Sequence, residues 1–131
     1  MDSTMTSALT CDALSMAADR IPITAGITIF HSDRGTQYTS QDFADHAKGL
    51  GVLRSVGRTG VCYDNAWAES FNGTLKNERV NRTVYPTREQ ARKDITKYIE
   101  LRYNNKRLHS ALDYRTPNEV ESEWFNKHRA A

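Results

Sequence analysis

The chain has 131 residues, a formal net charge of +2, and 38% hydrophobic against 26% charged side chains. That make-up suits one water-soluble globular domain and excludes a disordered or fibrous chain. No apolar run approaches the roughly 20 residues of a membrane-spanning helix, and the opening Met-Asp-Ser-Thr-Met-Thr lacks the basic and apolar regions of a secretory signal, so the expected location is the cytoplasm.

Taken in order, residues 5–19 read as a helix, with Met5, Leu9, Leu14, Ala17 and Ala18 on an apolar side and Pro22 as the stop. Residues 27–31 (Ile-Thr-Ile-Phe-His) are β-branched and aromatic, the mark of a short strand, and Ser-Asp-Arg-Gly breaks it. Ser40 is placed to cap a helix reaching about residue 49, closed by Gly49 and Gly51. Residues 52–56 form a second short strand, and 57–64 a loop hinged at Gly57 and Gly60. Three helices follow: about 65–79, from Thr87 to about Tyr103, and one starting at Thr116. Thr-Arg-Glu-Gln at 87–90 and Thr-Pro-Asn-Glu at 116–119 both fit capping boxes. The pattern is α/β with a helical tail. Two strands alone make a poor sheet, so residues about 4–80 read as the back end of a larger unit and about 87–125 as a helical extension.

Cys11 and Cys62 are far apart, and His31, His46, His109 and His128 are scattered. That argues against a zinc site and for free thiols in a reducing compartment. Charge is distributed unevenly. Residues 1–75 hold 5 basic and 8 acidic side chains, residues 76–107 hold 10 and 4, and residues 108–131 hold 3 and 4. An acidic portion beside a basic one suits a metal-dependent protein acting on a polyanion, although a basic helix can also be only a solvated face.

Asp33 lies just past the first strand, on the sheet edge where α/β proteins bind ligands. An aspartate before Arg-Gly also serves to bond its own turn. On the helix at 65–79, Asn65, Glu69, Asn72, Gly73 and Lys76 share one stripe, while Ala68, Phe71 and Leu75 share another. One side can therefore pack while the other presents Glu69, or the polar side is merely solvated. Gly73 would admit a close backbone. Trp67 and Phe71 read as core rather than as base-stacking groups.

Between Asp33 and Glu69 lie 35 residues. That interval resembles the retroviral-integrase superfamily, in which an aspartate on the first strand, a second aspartate and a glutamate at the same interval form the active site. The chain is most similar to bacterial DDE transposases of the IS-three type. The residues that carry the likeness are His31-Ser-Asp-Arg-Gly-Thr-Gln-Tyr-Thr-Ser40, Ser55-Val-Gly-Arg-Thr-Gly60, the run Asp64-Asn-Ala-Trp-Ala-Glu-Ser-Phe-Asn-Gly-Thr-Leu-Lys-Asn-Glu78, and Tyr103-Asn-Asn-Lys-Arg-Leu-His-Ser-Ala-Leu-Asp-Tyr-Arg-Thr-Pro117. The resemblance as a whole runs from roughly residue 4 to residue 125.

The resemblance implies an RNase H-like fold, here truncated, and metal-dependent DNA cleavage and strand transfer at transposon ends. Two Mg²⁺ (or Mn²⁺) ions about 4 Å apart would clamp the attacking and leaving oxygens, and hard cations of this kind prefer carboxylate oxygens. Asp33 and Glu69 correspond to the second and third carboxylates. The first aspartate and its strand have no counterpart, since Asp2, Asp12 and Asp19 lie before or on the opening helix. The expectation is therefore at most weak binding of a single ion and no efficient strand transfer by the chain alone. The same reasoning leaves an unpaired strand edge, making the chain marginal by itself or paired with a partner. Arg34, Arg54, Arg58, Asn65, Asn72 and Lys76 are the DNA-contact candidates, and His109 reads as a turn residue rather than a catalyst. The partners implied are transposon-end and target DNA, a second copy or full-length transposase, and no membrane, with the protein at the nucleoid. The competing reading is a non-catalytic DNA-binding or transposase-interacting remnant.

Overall fold

A first helix, α1 (Ser7–Ala18), starts where the Thr6 side chain accepts a hydrogen bond from the Leu9 N–H (3.4 Å). In the computed structural model, which describes residues 1–57 and 65–129, it is followed by β1 (Ile29–Ser32), a short α2 (Thr36–Thr39), α3 (Gln41–Gly49) and β2 (Leu53–Val56). Then come α4 (Ala66–Glu78), α5 (Arg88–Tyr98), a π-helical turn over Ile99–Tyr103, and α6 (Pro117–Arg129), with short 3₁₀ turns at Val80–Arg82 and Ser110–Leu112. The chain divides into two units, Met1–Asn72 and Gly73–Ala131.

In the first unit β1 and β2 pair in parallel, Ile29 opposite Leu53 and Ser32 opposite Val56. Parallel strands need a crossover, and α3 supplies it. Ser40 caps α3 as the sequence indicates, accepting from the Phe43 N–H (3.3 Å). One face of the sheet turns Phe30 inward to a core of Leu14, Phe43, Ala47 and Val52, joined by Tyr38, Ile23 and Leu50. The rings of Phe30, Tyr38 and Phe43 form a triangle with centroids 5.2–5.9 Å apart, the tilted and edge-on geometry that aromatic quadrupoles favour. On the other face His31 and Ser55 share a hydrogen bond (2.9 Å) across the strands, beside exposed Ile29 and Leu53.

Strand bounds differ slightly from those read in the sequence. Ile27 and Thr28 donate back to Thr24 in a turn, which takes their N–H groups from the ladder despite their β-branching, although the Thr28 carbonyl still accepts from the Leu53 N–H (2.9 Å). Val52 donates to Ala47 and enters the core instead of the ladder. Gly51 has φ +75, and a Cβ there would stand 2.8 Å from the Ala25 Cβ, so both its backbone angle and its neighbour call for glycine.

The second unit has little buried apolar surface; Tyr98 is its one buried hydrophobic residue among those described. Polar bonds organise it. Thr87 caps α5 by accepting from Gln90 (3.2 Å). Thr116 and Glu119 cap α6 reciprocally, at 3.3 Å and 2.7 Å, the capping box expected there. The Glu78 carboxylate takes bonds from Arg107 (2.9 Å) and the Tyr98 hydroxyl (2.7 Å). Burial would raise the pKa of Glu78, but these two bonds outweigh it and hold it below the ordinary value. Burial and the same carboxylate push Tyr98 up to about 12. The ring of His109 meets that of Tyr103 edge-on, 4.7 Å between centroids, and its backbone pairs with Arg115 in a turn. Its buried Nε2 has no hydrogen-bond partner among the described residues.

Asp94 is gripped by the guanidinium fork of Arg79 and by the Tyr85 hydroxyl (2.6 Å). The Arg79 bond, then the Tyr85 bond, lower its pKa from 3.8 to about 2. A carboxyl depressed by folding contributes stability that is present above its unfolded pKa and is lost as pH falls through the folded one. Thermal melts should therefore lose midpoint as pH drops from 3.8 towards about 2, and Asp94→Asn should flatten that part of the curve whatever it costs at neutral pH. An identical acid slope in the variant would refute this assignment.

Candidate active site and what it resembles

Asp33 follows β1 directly, and its position is fixed by bonds around the strand ends. The Gly57 N–H donates to the Ser32 carbonyl (2.9 Å), and the Arg34 Nε donates to the Gly57 carbonyl (2.9 Å). The Gly35 N–H donates to Asp33 Oδ1 (2.8 Å). The turn role and the ligand role of Asp33 are therefore compatible: its Oδ1 closes the turn, and Oδ2 has no hydrogen bond among the described residues. A Cβ at Gly35 would lie 2.9 Å from Asp33 Oδ1 and 2.5 Å from the Gln37 side chain, so glycine is what lets this turn close.

The carboxylates share one cavity of about 270 Å³. From the β1 end it is lined by Phe30, His31, Ser32, Asp33 and Tyr38, and from the start of α4 by Asn65, Ala68, Glu69 and Asn72. Residues at 65, 68, 69 and 72 are spaced three and four apart, which puts them on one side of a helix. Asp33 and Glu69 are both exposed, open to a ligand from solvent. The donors are of the right kind for Mg²⁺ or Mn²⁺, carboxylate oxygens with two side-chain amides beside them. They are short in number: among the described residues no three His, Cys, Asp or Glu side chains converge on one point.

The other candidates separate. Asn65 and Asn72 join the cavity. Arg34 spends its Nε on Gly57, so part of its guanidinium is structural. Arg54 lies elsewhere, on a cavity with Gln41, Asp45 and Lys48, and donates to the Tyr38 carbonyl (3.3 Å). Its place in β2 was legible, but not the side to which it turns. Arg58 lies outside the described residues, as does Cys62. Lys76 is exposed on α4, in the second unit. A side chain at Gly73 would meet nothing within 4 Å, so no protein backbone approaches it closely among the described residues.

One expectation is corrected. Trp67 does not fill a core; it is 77% exposed. It stands in the first turn of a helix that buries none of its residues fully, and its size and apolarity gave no hint that no described element covers it. Sequence reasoning also passed over His31 as a lining residue, which the alternation of β1 could have flagged.

Several known proteins share these features. Two models described as Integrase core domain match the chain, one over residues 50–117 and one over residues 1–62. The transposase for insertion sequence element IS904 of Lactococcus lactis subsp. lactis (strain IL1403) is 41% identical over 121 residues, 92% of this chain and 47% of that protein. Transposase InsF for insertion sequence IS3A of Escherichia coli (strain K12) is 38% identical over 122 residues, 93% of this chain and 42% of that one. The chain thus spans less than half the length of these curated relatives. Among solved structures, the catalytic core domain of BIV integrase is similar with a TM-score of 0.65 at 20% identity, over 96% of this chain and 78% of that one. That likeness shows the fold, which is the RNase H-like one of integrase catalytic cores.

Proposed function

Because the chain belongs to the integrase core domain family, we propose that it is the part of an insertion-sequence transposase that brings two metal-binding carboxylates, Asp33 and Glu69, to DNA cleavage and strand transfer. The observation that supports this reading is their meeting in one solvent-open cavity at the C-terminal end of β1, across 35 intervening residues. Asp33 and Glu69 would hold a Mg²⁺ or Mn²⁺ ion, which would supply a Lewis acid for phosphoryl transfer. The residues themselves hold and orient. Asp33 is fixed by the Gly35 turn, Glu69 by the first turns of α4, and the amides of Asn65 and Asn72 offer further polar contacts to a ligand or to DNA. Arg34, Arg54, Arg58 and Lys76 are proposed phosphate contacts, which position a duplex without reading its sequence. The proposed partners are transposon-end and target DNA, with a second copy or the longer transposase.

Titrating the purified chain with Mn²⁺, followed by the loss of the free-ion electron paramagnetic resonance signal, tests the site. The expected result is a single ion held at roughly millimolar strength, as an incomplete oxygen shell would give, and lost in both Asp33→Asn and Glu69→Gln. Binding that survives both changes rejects the assignment. The shortage of converging ligands also favours a second reading, a DNA-binding or transposase-interacting module without chemistry of its own. Incubating the chain with transposon-end duplex and Mn²⁺ separates the two: a nicked strand marks an enzyme, and duplex bound but uncut marks the module.

A further inference from the structure

We propose a second DNA-backbone site, within the unit Gly73–Ala131, in the open cavity of about 570 Å³ that Arg82, Lys97, Arg102 and Lys106 line. The proposal rests on the reading of the chain as part of a DNA-transposing protein, but it uses neither Asp33 nor Glu69.

The argument begins with the two acids in that cavity, Glu78 and Asp94. Both are already satisfied. Arg79 takes both oxygens of Asp94, and Arg107 and Tyr98 take one oxygen each of Glu78. Each carboxylate thus has a guanidinium of its own, and the remaining cations are surplus. Arg82 bonds only a backbone carbonyl, that of Asn77 (2.8 Å). Arg102 is a distant second partner of Glu78 at 3.6 Å and is 64% exposed. Lys97 and Lys106 make no hydrogen bond or ion pair with the described residues. Four positive side chains therefore face one concavity that holds two acids already bonded to Arg79 and Arg107; Lys97 and Arg102 lend those acids only longer-range support, and the cavity keeps an excess of positive charge over a floor that includes Tyr98 and Leu101.

Three of these cations come from α5 and the backbone after it. In a regular α-helix, residues nine apart point about 180° away from each other, so Lys97 and Lys106 would lie on opposite sides. The π-helical turn at Ile99–Tyr103, with Asn104 bonding back to Ile99 and Arg107 back to Arg102, takes about one more residue per turn. The cavity is lined by Lys97 from α5, Arg102 from the π-helical turn and Lys106 from the turn that follows it. Such widened turns in helices are uncommon and concentrate at functional sites. The ligand chemistry follows from that excess of positive charge: extended phosphodiester, with several phosphates in a row, matches four cations spread across an open cavity better than one small anion would.

The test uses the full chain and a fluorescent duplex of random sequence, with EDTA present so that no metal chemistry enters. Lys97→Glu/Lys106→Glu should weaken binding at least about tenfold and reduce the slope of log K against log salt by about 2, one for each phosphate that a lysine no longer neutralises. Lys93→Glu/Lys127→Glu makes the same charge change at exposed positions away from the cavity, where each lysine pairs with a glutamate four residues earlier, and should leave the slope near wild type. Equal slopes for the two double variants would reduce the effect to net charge and overturn the site. So would displacement of the duplex by inorganic phosphate at matched ionic strength, which would mark a small-anion pocket. A circular-dichroism melt of each variant, and a parallel Lys97→Gln/Lys106→Gln pair expected to lose about the same slope with a smaller loss of affinity, guard against misfolding as the cause. Loss of Mn²⁺ binding by the Asp33 and Glu69 variants is read separately, so either proposal can fail without the other.

Discussion

On the proposed function, transposition by a transposase carrying this segment should fall by about a thousandfold or more when Glu69 is changed to Gln, and likewise when Asp33 is changed to Asn. Both changes keep shape and hydrogen bonding but remove the negative charge that holds a divalent cation. A metal contributes several kcal/mol of charge stabilisation to phosphoryl transfer, and about 4 kcal/mol corresponds to three powers of ten in rate. The measurement is transposition frequency in cells, with Asn65→Ala as a neighbour in the same cavity that carries no charge and should lose far less. Wild-type frequency in both carboxylate variants would show that the cavity is not where the chemistry occurs.

Phe43→Ala should unfold the first unit or come close to doing so. Phe43 is 1% exposed and is the largest fully buried side chain among those described. It packs on Phe30 and Tyr38, and the buried apolar set around it is short: Leu14, Ala47 and Val52. Removing a buried phenylalanine costs about 3–5 kcal/mol, against a total of about 5–15 for an ordinary domain. The effect reaches the site because Phe30 anchors β1, and Asp33 is the residue after that strand. Urea unfolding should show a large drop in midpoint, while Val84→Ala, at a side chain 93% exposed, should stay within about 0.5 kcal/mol of wild type. A Phe43→Ala midpoint no lower than that of Val84→Ala would mean that the ring triangle is not the core of the unit.

How far the sequence reaches can be judged residue by residue. The helix starts at Ser40, Thr87 and Thr116 were legible because a capping bond joins groups two or three positions apart, and all three form. Both strands were legible from β-branching, but their ends were not, since whether Thr28 joins a turn or a ladder depends on which carbonyl lies near it. The short α2 and the π-helical turn were invisible, since neither leaves an apolar period. Trp67 shows the same limit on the packing side, since an apolar side chain signals burial only when another element arrives to cover it.

The sequence by itself determined the local grammar of this protein: its caps, its two strands, the polar stripe of Asn65, Glu69 and Asn72, and the interval that ties Asp33 to Glu69. Tertiary structure decided which distant groups meet. It placed Asp33 and Glu69 on one cavity and turned Arg54 to another. It gave Arg79 to Asp94 and Arg107 to Glu78, and so left Lys97 and Lys106 without hydrogen bonds among the described residues. The physical reason is that local bonds follow from side chains a turn apart, whereas a contact across many residues forms only if the burial and hydrogen bonding of the whole unit repay the entropy of closing the chain between them.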